Sequence, residues 1–70
     1  MSMTFKATKK KEWSGIITLP RNVFNSPAGR TIAQYAMSIQ NKGQDTEFMF
    51  YMEQFKWAQM FLQSEGFTLA

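Results

Sequence analysis

Cysteine and histidine are absent from this 70-residue chain. Without cysteine there are no disulfides, and without either residue the usual ligands of zinc, haem and iron–sulfur clusters are missing, since carboxylates alone favour hard cations. No cofactor is therefore expected. The same absences weigh against catalysis, because acid–base work near neutral pH relies most often on histidine. Ser14, Ser26, Ser38 and Ser64 have no nearby base except lysines, and none sits in a G-x-S-x-G elbow. The five carboxylates form no recognisable motif. The chain does not read as an enzyme.

Long hydrophobic runs are also missing. The apolar stretch from Phe48 to Leu62 is broken by Glu53, Gln54, Lys56 and Gln59, and it is too short to span a bilayer. No apolar segment of the signal-peptide kind follows Lys9, Lys10 and Lys11. The expectation is a soluble, cytoplasmic protein with no membrane partner, forming a single small domain over residues 1–70. A domain of this length is only marginally stable alone. With disulfides and metals excluded, self-association or docking on a partner remains as the usual support.

Charge is unevenly spread. Residues 1–30 hold Lys6, Lys9, Lys10, Lys11, Arg21 and Arg30 against Glu12 alone, a local balance of +5, while residues 31–70 balance at −2. A basic half of this kind meets either phosphate or an acidic protein face.

Glycine and proline are few, four and two, so each marks a boundary. Met3–Thr8 alternates weakly, and Trp13–Leu19 is rich in β-formers and stops at Pro20. With Lys9–Glu12 as a polar loop between them, these segments predict an N-terminal β-hairpin. Gly15 inside the second strand marks a bulge or a close backbone approach. Ser26-Pro27 is a helix start, with Ser as cap and Pro at the first helical position. Ala28, Ile32, Tyr35, Ala36 and Ile39 then line one stripe of a helix that ends at Asn41-Lys42-Gly43. The Ser26–Thr31 stretch, with its Gly and Arg, also has the ingredients of an anion site but lacks the spacing of a P-loop.

Nothing between Thr46 and Glu65 is Gly or Pro, which predicts one continuous helix over Asp45–Gly66. Its apolar residues fall on two stripes. Phe48, Tyr51, Phe55, Ala58 and Leu62 make the first; Phe50, Trp57 and Phe61 make the second, edged by Met49 and Met60. The alternative places a third short strand at 47–52 and starts the helix at Glu53, because Phe-Met-Phe-Tyr is β-forming. Phe67–Ala70 folds back or adds an edge strand. The expected fold is thus α+β, a β-hairpin followed by two α-helices with the aromatic second helix as its spine.

A helix apolar on two sides is buried or binds a partner. The second stripe points to a non-enzymatic protein-binding domain that occludes or bridges a partner surface. It would be an inhibitor or adaptor of the kind phages and mobile elements encode, able to self-associate as a homo-oligomer. Phe50, Trp57, Met60 and Phe61 are the expected anchors, since aromatics and Met are enriched at interfaces. The same side chains also serve as ordinary core. The alternative partner is nucleic acid, bound by Lys6, Lys9, Lys10, Lys11, Trp13 and Arg21 at the hairpin, with cations on phosphate and Trp stacked on a base. Charged loop tips are equally common as solubilising features, and no RNP1, KH, zinc-finger or homeodomain signature is present.

Overall fold

The computed structural model describes residues 3–70. Five strands form one mixed sheet with two helices and a 3₁₀ turn: β1 Thr4–Lys11, β2 Ser14–Pro20, the 3₁₀ turn Arg21–Asn25, α1 Pro27–Ala33, β3 Ser38–Lys42, β4 Asp45–Tyr51, α2 Met52–Ser64 and β5 Thr68–Leu69. The order across the sheet is β3-β4-β2-β1-β5, antiparallel throughout except for the short parallel pairing of β5 with β1.

This corrects the expected architecture of a hairpin followed by two helices. The two N-terminal strands do pair, but as members of a strand-dominated sheet. The expected 45–66 helix is half strand. Over β4 the inward residues Thr46, Phe48 and Phe50 are fully buried while Asp45 and Tyr51 are exposed, which is the period of two of a sheet with one covered face. Met49 and Tyr51, apolar residues on the outward side, disguise that alternation as a helical stripe. Strand passes into helix at Tyr51, whose φ of −64° and ψ of 156° any residue adopts, so no Gly or Pro marks the bend. A third strand at 47–52 comes nearer, and β5 falls in the Phe67–Ala70 stretch read as a fold-back or edge strand, but β3 is missing from both readings.

The first helix is likewise shorter than its pattern. It ends at Ala33, and Ser38–Lys42 is an edge strand that pairs with β4. The Gly read as a helix stop is Gly43 of a two-residue hairpin loop, with φ +61°, the sign a type II′ turn requires at its first loop position.

Both helices lie on one face of the sheet. Phe5, Ile17, Leu19, Phe48 and Phe50 from the strands pack with Val23, Ala28, Ile32, Phe55, Ala58 and Leu62 in a single core. Gly15 is the close approach: a Cβ there would lie 2.5 Å from the Phe55 ring, so only glycine lets α2 settle onto β2. Gly29 has the same role in α1, where a Cβ would meet the Val23 carbonyl oxygen at 2.4 Å. Ser26 Oγ caps α1 by accepting from the Gly29 amide (3.2 Å) and donates to the Val23 carbonyl (2.6 Å). The amide that an anion would use is thereby occupied. At the end of α2 the Phe67 amide donates to the Leu62 carbonyl and the Gly66 amide to that of Gln63, a Schellman closure with Gly66 at φ +96°. It turns the chain back so that β5 reaches β1.

Candidate functional site

Two surfaces carry the side chains of interest, one on each side of the sheet. On the helical side, α1 and α2 leave an aromatic strip between them. The Tyr35 ring meets Trp57 edge-on at 4.9 Å, and Trp57 stacks on Phe61 at 5.2 Å with an interplanar angle of 16°. Such pairs add roughly 0.5–1.5 kcal/mol beyond the area they bury. Trp57 and Phe61 are half-buried, and Tyr35 is 49% exposed. Met60, one turn from Trp57 on the side of α2 away from the core residues Phe55, Ala58 and Leu62, is 70% exposed.

Of the four expected anchors, Phe50 is therefore removed. It points inward from β4, is wholly buried, and lies 6.4 Å from Phe48, ring to ring. A partner cannot reach it. Trp57, Met60 and Phe61 lie together on α2, and Tyr35, assigned in sequence to the apolar stripe of the first helix, joins them. It lies just past the end of α1, where the chain has left the helix, so a helical periodicity could not place it beside Trp57.

The other surface is the open face of the sheet. Alternation puts Lys6 and Thr8 of β1, Ile16 and Thr18 of β2, Glu47 and Met49 of β4, and Ser38, Gln40 and Lys42 of β3 on it. Lys10, Ile16, Ser38, Gln40, Lys42, Glu47 and Met49 line a shallow depression, across which Lys42 Nζ sits 3.3 Å from Glu47 Oε1. At the hairpin end, Trp13 and Tyr51 stand with ring centroids 5.9 Å apart, and Lys11 Nζ lies 5.5 Å from the Trp13 ring centroid. The Trp13 carbonyl accepts from the Met52 amide at 2.9 Å, fixing the hairpin turn to the start of α2. Ser14, between Lys11 and Tyr51 in the register, is fully buried, and its hydroxyl has no partner.

The expected basic cluster is only partly assembled. Lys9, Lys10 and Lys11 belong to the end of β1 rather than to a loop, with an irregularity in register between Lys9 and Lys11. Beyond its short pairing with β5, the outer side of β1 is a sheet edge, where lysines discourage association of strands. Arg21 lies at the opposite end of β2. Its amide donates to the Gln44 carbonyl at 2.7 Å and its guanidinium reaches Gly43 at 3.5 Å. Seven residues of β2 at about 3.3 Å each separate it from Lys9, Lys10 and Lys11, so it does not share their surface; Lys6, opposite Thr18, lies toward the Arg21 end of the strand.

Among the described residues, no cluster of three or more acidic side chains is placed to hold a metal ion, and no helix is long and apolar enough to cross a membrane. No family model, curated protein or solved structure matches the chain.

Proposed function

We propose that the protein is a non-enzymatic binding domain that covers part of another protein's surface with the Tyr35–Trp57–Phe61 strip and the adjoining Met60. The observation that supports this reading is the placement of Met60. It is the most exposed large apolar side chain among the described residues, and it stands beside a stacked Trp and Phe on the outward side of α2. Scattered exposed apolar residues need no explanation, but a contiguous group containing Trp and Met has the composition of an interface centre. The aromatic pairs hold the strip rigid, so little side-chain entropy is lost on docking. Met60 is unbranched and adapts to an irregular groove. The excess positive charge of the N-terminal half steers the domain toward an acidic partner.

The partner is either foreign or a second copy of this chain, and light scattering of the purified protein separates the two. Affinity capture then compares wild type with Trp57→Ala and with Met60→Asp. A partner, or a dimer, that is lost in both variants while the fold persists supports the reading. Retention of every interaction in both variants removes it.

A further inference from the structure

We infer that the hairpin end of the open sheet face is a stacking site for single-stranded nucleic acid, built from Trp13, Tyr51, Lys10 and Lys11. This surface lies on the other side of the sheet from the Met60 strip and is independent of it. Trp13 is 51% exposed and Tyr51 58%, yet neither is loose. Tyr51 is the last residue of β4 and the cap of α2, and the Trp13 carbonyl holds the first amide of that helix. Two half-exposed aromatic side chains thus stand on a fixed backbone, so a base stacks on them without first ordering the site.

Cations complete the arrangement. Lys11 lies against the Trp13 ring, and Lys10 borders the depression next to Ile16 and Met49. Stacking on aromatic rings binds bases of any identity, and lysines beside them take the phosphates that link the bases. An acidic peptide would satisfy the lysines but leave the half-exposed rings without a role. A duplex presents its phosphates but keeps its bases out of reach, so it too meets only half of the site. An unpaired base with its phosphate meets both halves. Lys6, opposite Thr18 and two rows along the same face from Tyr51, lies where the strand would continue. Arg21, at the far end of β2, takes no part.

The test is fluorescence anisotropy with labelled oligo-dT, oligo-rU and a duplex of equal length, at rising salt. The two single strands read whether the sugar matters; binding of either supports the site. Three lysine contacts predict a slope of log affinity against log salt of about −2 for a single strand. Trp13→Ala weakens binding roughly tenfold, and Trp13→Phe restores most of it. Lys11→Gln makes the slope shallower by about 0.7, whereas Arg21→Gln leaves affinity and slope unchanged. Any of three results overturns the inference: no binding of either single strand at low salt, equal or tighter binding of the duplex, or an affinity indifferent to Trp13→Ala. Trp13→Phe and Lys11→Gln keep the test decisive if Trp13→Ala fails to fold.

Discussion

The ring of Phe55 rests on the backbone of Gly15. A Cβ at Gly15 would come within 2.6 Å of three atoms of that ring, and both residues are buried. This contact sets how closely α2 approaches the sheet, and through α2 it sets where Trp57, Met60 and Phe61 stand. Gly15→Ala is expected to destabilise the domain by about 1–3 kcal/mol, the usual cost of overpacking. Denaturant unfolding measures it. A stability equal to wild type would mean that α2 rides higher than described.

Ser14 gives the opposite expectation. Its hydroxyl is buried without a partner, which costs about 1–3 kcal/mol of desolvation that no bond returns. Ser14→Ala removes that group and leaves the packing nearly intact. The variant should be as stable as wild type or more so by thermal unfolding. A clear loss of stability would show that the hydroxyl has a partner in solution.

Gly66 closes α2 at φ +96°, a conformation that costs an L-residue roughly 1–2 kcal/mol. Gly66→Ala should lower stability by about that amount and loosen the pairing of β5 with β1. Hydrogen exchange at the Thr68 and Ala70 amides, which donate to Met3 and Phe5, reads this locally. Protection unchanged at both amides would contradict the role given to the turn.

How far the fold was legible follows from the same residues. Gly15 marked either a bulge or a close approach in sequence, of which the second holds, and the Ser26-Pro27 start was plain, because each depends only on its immediate neighbours. Asp45–Tyr51 reads as helix because its outward face turns apolar at Met49 and Tyr51, so Asp45 and Glu47 alone carry the polar half of the alternation. Ser38–Lys42 was misread because Gly43 suits a helix end and a hairpin turn equally, and pairing with β4 decided between them. At the candidate interface the composition pointed to Trp57, Met60 and Phe61. Separating them from Phe50 required knowing that a strand, not a helix, carries Phe50 inward.

The aromatic strip should be separable from the fold. Met60→Asp alters an exposed side chain of α2, and Phe61→Ala a half-buried one that packs against the rim of the core while Phe55, Ala58 and Leu62 stay in place. Each is expected to leave most of the stability in place, while Trp57→Ala costs more, since it strips Tyr35 and Phe61 of their neighbour. At a binding hot spot the same changes weaken association by about 2 kcal/mol or more. Parallel measurement of unfolding and of partner affinity separates the two effects. A loss of affinity that merely tracks the loss of stability would argue against an interface.

The decisive measurement is site-specific photo-crosslinking from position 60 in the cell, with position 12, on the exposed hairpin turn, as the control. If the strip is the interface, position 60 gives one discrete adduct, with a partner or with a second copy, and Trp57→Ala abolishes it. Position 12 gives no adduct of that mass. Indiscriminate adducts of the same pattern from both positions, or none from position 60, would contradict a docking face on α2.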